Sequence, residues 1–259
     1  RSGTIRHMFE MHILASGSDG NCTVLVYEDR AVMIDAGLSF KATSKLMSTN
    51  GIDPSSVEAL LVTHEHSDHV KGAGPVSRAL NIPVMCNRAT FCSSNMGKVL
   101  YSETQTMVPF TVAGIRFTPL PTSHNAMEPN AYMAEAGGKR VLIATDTGML
   151  TPPVEDALRI SDVAILESNY DKYMLDNGPY PIYLRRLIES DVGHLSNVAC
   201  AEALRRTTNG MKRKIFLAHL SRKNNTPDTA RETVSNLTGT RRMELDCLEF
   251  AGDTRILRA

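Results

Sequence analysis

The chain has 259 residues, 28 Lys and Arg against 28 Asp and Glu, and 42% hydrophobic residues, enough for one large domain or two small ones with an ordinary core. Its balanced charge excludes a strongly basic or acidic chain, so global charge neither calls for nor rules out a nucleic-acid partner. The five cysteines are too widely spaced for a zinc ribbon or redox pair and read as reduced thiols in a cytoplasmic protein, and neither a run of ~18 apolar residues nor a basic-then-apolar leader points to a membrane.

Arg1 to His7 precede the first Met and read as a tag remnant, which leaves 8–259 as one domain. Met11–Ala15 is a short strand, followed by the polar loop Ser16 to Asn21. Thr23–Tyr27 and Ala31–Asp35 are apolar, β-rich runs split by Glu28-Asp29-Arg30. Ser39 caps a helix that stops at Asn50-Gly51. Ala59–Thr63 is a buried-type strand that leads straight into His64-Glu65-His66-Ser67-Asp68-His69. Val76–Leu80 is helical, Pro83–Cys86 a strand, and Asn87 caps a helix closing near Gly97. Val108–Ala113 and Ile115–Leu120 form a hairpin about Gly114. Ala131–Ala136 and Val141–Thr145 form a second, about Gly137-Gly138-Lys139-Arg140. Thr151-Pro152-Pro153 opens a helix where proline is favoured, and Val163–Glu167 is again buried-type. Helices follow near Tyr180–Ser190 and at Asn197–Thr208, then a strand at Lys214–Ala218 and a helix at Pro227–Leu237. Short strands at Cys247–Phe250 and Thr254–Leu257 close the chain. Each half runs strands first and helices after, an order that suits two sheets packed face to face with helices outside.

The chemistry concentrates at strand ends. His64, His66, Asp68 and His69 lie within six residues, directly after an apolar strand, and a strand end is a rigid mount for metal ligands. Imidazole with carboxylate suits first-row metals such as zinc, manganese or iron. Four such side chains in one loop cannot all bind one ion and leave a position open, so the spacing points to two ions about 3.5–4 Å apart. His124, Asp146 and His219 each stand where a predicted strand stops. Each alone would pass for a satisfied polar residue; together with the first loop they are hard to assign to chance.

His64-x-His66-x-Asp68-His69, with His124, Asp146 and His219 following in that order, resembles the metallo-β-lactamase superfamily over nearly the whole chain, from Ser16 to about Pro227. The resemblance implies an αββα sandwich of two mixed β-sheets flanked by helices. It implies that His64, His66 and His124 hold one metal, that Asp68, His69 and His219 hold the other, and that Asp146 bridges them. Asp35, ending Val32-Met33-Ile34-Asp35, matches the superfamily's first motif, with an expected role in holding the His-rich loop or a ligand imidazole. Ser16-Gly17-Ser18-x-Gly20-Asn21, Glu167-Ser168-Asn169, Gly193-His194-Leu195-Ser196-Asn197 and His219-Leu220-Ser221-x-x-Asn224-Asn225-Thr226-Pro227 are similar to the YycJ/WalJ-type hydrolases. That group resembles the nucleic-acid-processing branch and is associated with DNA exonuclease activity. Tyr170 departs from the pattern, since many members have His after Glu-Ser-Asn, and the position is left without a role.

A water shared by two divalent ions ionises near neutral pH, against about 15.7 for bulk water, and its hydroxide can attack phosphorus or a carbonyl carbon. Asp68, Asp146 and His194 are the candidate catalytic residues. His194 is the candidate donor to a departing alkoxide, since Ser196 can cap a helix starting near Asn197 and bring free N–H groups close to it. Ser16, Ser18, Asn21, Ser196, Asn197 and Asn224 are candidate substrate contacts. Between Arg185 and Lys223 there are nine Lys or Arg against three Asp or Glu, a local excess that would attract backbone phosphates. The expected partner is therefore nucleic acid, DNA first, hydrolysed by a two-metal phosphodiesterase, with no membrane partner. A thioesterase or lactonase of the glyoxalase II kind could use the same ligands on an acyl substrate. A non-catalytic nucleic-acid-binding module is the third reading, although none of the seven expected ligands is missing.

Overall fold

Side-chain alternation along the strands decides the layer order. On Val163–Glu167, Val163 and Ile165 point one way and Ala164 and Leu166 the other, and both sets are buried. A strand buried on both faces belongs in the middle of a layered domain. The computed structural model describes residues 8–208, 212–248 and, as backbone, 255–258. The tag reading of 1–7, and the parts of the closing strands that fall on 249–254, lie outside them.

The first sheet contains β1 (Phe9–Ala15), β2 (Cys22–Tyr27), β3 (Arg30–Ile34), β4 (Val57–Leu61), β5 (Val84–Cys86) and β6 (Tyr101–Glu103). The second contains β7 (Phe110–Val112), β8 (Ile115–Pro121), β9 (Asn130–Ala136), β10 (Lys139–Ala144), β11 (Val163–Glu167), β12 (Lys214–Ala218) and β13 (Leu245–Cys247). The last strand, β14 (Arg255–Arg258), returns to the first sheet beside β1, so the orders are β14-β1-β2-β3-β4-β5-β6 and β13-β12-β11-β10-β9-β8-β7. Both sheets are mixed. β3 to β6 run parallel, as do β10 to β13, and the remaining pairs are antiparallel.

Parallel neighbours require crossovers, and helices supply them. In the first half these are α1 (Phe40–Thr49), α2 (Ser67–Val70), α3 (Ala73–Leu80) and α4 (Arg88–Ser93). In the second they are α5 (Pro152–Ile160), α6 (Lys172–Asp176), α7 (Ile182–Glu189), α8 (Asn197–Arg206) and α9 (Pro227–Thr238). Phe9, Ile13, Phe117, Tyr132, Ile165 and Phe216 fill the space between the sheets. Met47 and Val76 pack on the outer face of the first sheet, and Val154, Leu204 and Val234 on that of the second. The expected αββα sandwich is what forms.

Local differences have local causes. The second hairpin turns on Gly137-Gly138 alone, with φ of 55° and 75°. Two left-handed residues make the tight turn that matches strand twist, so Lys139 and Arg140 pair as strand residues. The helix after Asn87 ends at Ser93, because Ser94 turns extended and its hydroxyl donates to the Thr90 carbonyl at 2.7 Å. β6, α2 and α6 were not expected, and none is longer than five residues. Phe117, fully buried between the sheets, tests the core: Phe117→Ala lowers the unfolding free energy by about 3–5 kcal/mol in urea titration, whereas Val198→Ala on the exposed face of α8 changes it little.

Candidate metal centre

Asp35 follows β3, His64 follows β4, His124 follows β8, Asp146 follows β10, Glu167 ends β11 and His219 follows β12. Parallel strands put these carboxyl ends along one rim, where open α/β sheets bind their ligands. Asp35, Asp146 and His219 have φ of 58°, 58° and 55°. Non-glycine residues rarely adopt this left-handed region, and such strain persists where the surroundings enforce it. Here it turns each side chain off its strand toward a common centre. The short helix α2, which carries Asp68 and His69, is pinned from below. Asn21 N–H donates to Asp68 O at 2.8 Å, Ala36 N–H to His69 O at 2.8 Å and Gly72 N–H to Ala36 O at 2.7 Å. Gly37 must be glycine, because a Cβ there would stand 1.7 Å from Asp68 O.

Three overlapping groups of ligand atoms converge: His64, His66 and His124; Asp68, His69, Asp146 and His219; and Asp146, Glu167, His194 and His219, each with ligand atoms within 4.8 Å of one another. Asp146 faces the first two: Oδ2 lies 3.2 Å from His69 Nε2, and Oδ1 lies 3.8 Å from His124 Nε2. The outward nitrogens of the imidazoles are already committed. His69 Nδ1 meets Asp35 Oδ2 at 2.8 Å, His124 Nδ1 meets Gly193 O at 2.9 Å, and His219 Nδ1 meets Glu167 Oε1 at 2.9 Å. All three partners accept, so each Nδ1 carries a proton and each Nε2 is the nitrogen turned toward the cluster. Thr63 donates its hydroxyl proton to Asp35 Oδ2 at 2.9 Å and so accepts from His64 Nδ1 at 3.0 Å. His64 Nε2 is thereby left bare. Fixing a tautomer through the far nitrogen is how proteins prepare histidine for a metal.

The donor set fits divalent cations. His64 Nε2, His219 Nε2 and Asp146 Oδ2 are buried without a hydrogen-bond partner, and such orphans are costly unless something else satisfies them. Protons respond to the same demand. Burial pushes the His69 and His219 imidazoles down, but Asp146, together with Asp35 for His69 and Asp68 and Glu167 for His219, outweighs it and holds them well above the ordinary range. Burial pushes Asp146 and Asp68 up, yet facing histidines hold both carboxyls well below the carboxylate range. His64 and His124, where burial dominates, are pushed down. Asp68, His66 and His194 are the partly exposed members, so the cluster opens to solvent on their side.

Glu167 is the residue that sequence reasoning missed as a participant. It is fully buried. Its Oε1 accepts from His194 Nδ1 at 2.8 Å and His219 Nδ1 at 2.9 Å, and its Oε2 from Thr147 N–H at 2.8 Å and Leu195 N–H at 3.3 Å. Four donors make it a hydrogen-bond hub, and it also stands in the third ligand group beside Asp146, His194 and His219. Its signals were a carboxylate ending an apolar strand and its place in the Glu167-Ser168-Asn169 string, neither of which gave it a role.

The other candidates are placed as follows. Ser16 Oγ accepts from His219 N–H at 3.0 Å. Asn21 is buried, and its Nδ2 reaches Asp68 Oδ2 at 3.3 Å and His69 Nε2 at 3.0 Å. Ser18 is exposed. Ser196 caps α8, its Oγ accepting from Ala199 N–H at 3.0 Å, and Asn197 N–H donates to Tyr170 O at 2.9 Å, so the helix start is largely satisfied from within. Asn197 and Asn224 are buried: Asn197 exchanges amide hydrogen bonds with Asn225, and Asn224 binds Ser221. Tyr170 is buried, bridges Ser196 and packs with Leu175 and Ile188. Part of the basic excess is tied down. Arg206 pairs with Glu155, Lys214 with Asp246 and Arg222 with Asp19, while Arg213 donates to the Ser161, Arg159 and Thr207 carbonyls.

Comparison with known proteins agrees with this geometry. Residues 30–220 match the family described as the beta-lactamase superfamily domain. The chain is 35% identical over 233 residues to the exodeoxyribonuclease YycJ of Bacillus anthracis, covering 87% of each. It is 34% identical over 235 residues to the exodeoxyribonuclease WalJ of Streptococcus pneumoniae, covering 88% of this chain and 87% of that one. Among solved structures, the metallo-beta-lactamase fold protein YhfI of Bacillus subtilis superposes with a TM-score of 0.74 at 16% identity, over 97% of this chain and 100% of that one.

Two outcomes follow for metal binding. Asp35→Asn weakens zinc affinity about 10- to 100-fold in competition with a chelator, whereas Ser18→Ala leaves it unchanged. Because His69 and His219 are held protonated above the ordinary imidazole range by the facing carboxylates, binding displaces protons; affinity therefore keeps rising as the pH is raised past the ordinary imidazole range, and a flat profile contradicts the assignment of these two imidazoles.

Proposed function

The chain belongs to the beta-lactamase superfamily and, within it, to the YycJ/WalJ group, and from that premise we propose that it is a two-metal phosphodiesterase that degrades DNA from its ends. The observation that carries the metal half of this reading is the convergence of bare lone pairs just described. His64, His66 and His124 would hold one cation and Asp68, His69 and His219 the second, with Asp146 within reach of both groups. Such cations, when bound, supply Lewis acidity: they bring the ionisation of water toward neutrality and offset charge on a phosphodiester. Zinc and manganese suit this mixed nitrogen and oxygen set, with iron a further candidate.

The remaining residues orient and move protons. Asp35 and Thr63 hold His64 and His69 in the tautomers that face inward. Glu167 holds the imidazole of ligand His219 and that of His194 on one oxygen, so the proton donor is fixed relative to the metal ligands. With its Nδ1 bonded to Glu167, His194 keeps Nε2 for the departing 3′ or 5′ oxygen, in the role of general acid. Ser16 positions the His219 backbone and Asn21 ties α2 to the polar loop, while exposed Ser18 is the member of that loop free to meet substrate. The choice of DNA over an acyl substrate rests on the activity named for the relatives at 34–35% identity. The free thiols, four of them buried, suit a reducing cytoplasm.

The test uses purified protein with manganese or zinc on 5′- and 3′-labelled duplex DNA, single strands, RNA and a thioester. Release of nucleotides from DNA, lost with a chelator, is the expected result; hydrolysis of the thioester alone overturns it. His194→Ala keeps its metal content and loses about 10²- to 10⁴-fold in turnover, and unchanged turnover removes His194 from the mechanism.

A further inference from the structure

The segment between β11 and β12 builds a surface that nothing in the metal centre requires. α6 and α7 lie side by side, packed through buried Leu175 and Ile188 with Tyr170 beneath them. Lys172 of α6 bonds Glu189 of α7, and Arg185 of α7 bonds the Asp176 carbonyl. The opposite side of this pair is left apolar and exposed. Ile182, Tyr183, Arg186 and Leu187 fall on one face of α7 by helical spacing. Tyr183 is 74% exposed, Ile182 59% and Leu187 40%, and Tyr173 on α6 is 75% exposed. The largest core aromatics, Tyr132, Phe9 and Phe117, are by contrast fully buried.

This surface runs into the metal centre. Four residues after α7, Gly193 O accepts from ligand His124, and Val192 O accepts from Asn125 N–H at 2.8 Å. His194 N–H donates back to Ile188 O of the helix at 2.9 Å. The C-terminal end of α7 is thus fixed beside the proposed proton donor, and the helix extends about 12 Å from it, the length of roughly three stacked bases. Of the acids on and beside the two helices, Asp176 and Glu189 are tied to Lys172 and Asp171 caps α6, Asp191 is exposed past the end of α7, and Arg186 has no ion pair among the described residues. Exposed rings interleaved with a free guanidinium are what an unpaired strand binds, since every base has a face to stack and every linkage a phosphate to neutralise.

We propose that the α6–α7 surface, with Tyr173, Tyr183 and Arg186, is a stacking platform for a single-stranded segment of nucleic acid continuous with the end held at the metal centre. This rests on the phosphodiesterase reading and deepens it: the substrate is gripped as an unpaired strand, so a duplex end must fray to enter.

The experiment separates binding from chemistry. Binding of a short fluorescein-labelled oligothymidine is measured by anisotropy in EDTA, where nothing is cleaved. Turnover of bis(p-nitrophenyl) phosphate in manganese is measured in parallel. Replacing both tyrosines (Tyr173→Ala with Tyr183→Ala) weakens binding about 10- to 100-fold and leaves turnover of the small ester unchanged, while the Phe pair restores binding. Equal binding by wild type and the Ala pair overturns the proposal. So does a wild-type dimer in sedimentation that the Ala pair dissociates, since the face then belongs to a second copy of the chain. Wild type that hydrolyses no phosphodiester at all defeats the underlying reading instead, and the anisotropy result still stands or falls separately.

Discussion

Five imidazoles and two carboxylates share one rim of the sandwich, with ligand atoms within 4.8 Å of one another in each group. That crowding is the constraint on which the rest depends. Lone pairs at such distances repel, and burial strengthens the repulsion, so positive charge must sit among them. The facing carboxylates favour protons on His69 and His219, which answers part of that demand. A pair of cations meets it better, because each can face several lone pairs at once, whereas a proton serves two.

Everything around the cluster serves to hold it crowded. The two sheets present their strand ends to one side, and the core between them fixes the spacing of those ends. Left-handed backbone at Asp35, Asp146 and His219 would relax if the neighbouring hydrogen bonds were lost. Three oxygen acceptors, Asp35, Glu167 and the Gly193 carbonyl, take the outward protons of the imidazoles. Glu167 and Gly193 also belong to the surroundings of His194 and α7, so the groups that orient the candidate ligands His124 and His219 are the same ones that hold His194 and the end of α7.

The convergence of the seven candidate ligands was legible in the sequence because their chemistry is local: imidazoles and carboxylates stand where apolar strand patterns stop, and strand ends are rim positions whatever the details of packing. The sandwich was legible for the same reason, as Val163–Glu167 and Lys214–Ala218 have the bounds their apolar runs suggest. Glu167 was not, because its importance lies in partners 27 and 52 residues away. Spacing identified Ser196 as a cap but could not say that Asn197 and Asn224 turn inward. The basic stretch from Arg185 to Lys223 looked free because the acids that pair with it, Glu155, Asp246 and Asp19, come from outside it. Charge counts along a chain report composition, and only the fold reports which charges face water.

The most direct measurement is anomalous diffraction from crystals grown with zinc or manganese. Two peaks about 3.5–4 Å apart, one among His64, His66 and His124 and the other among Asp68, His69 and His219, with Asp146 between them, are what the crowded lone pairs require. A single peak, or none at this rim, contradicts the account.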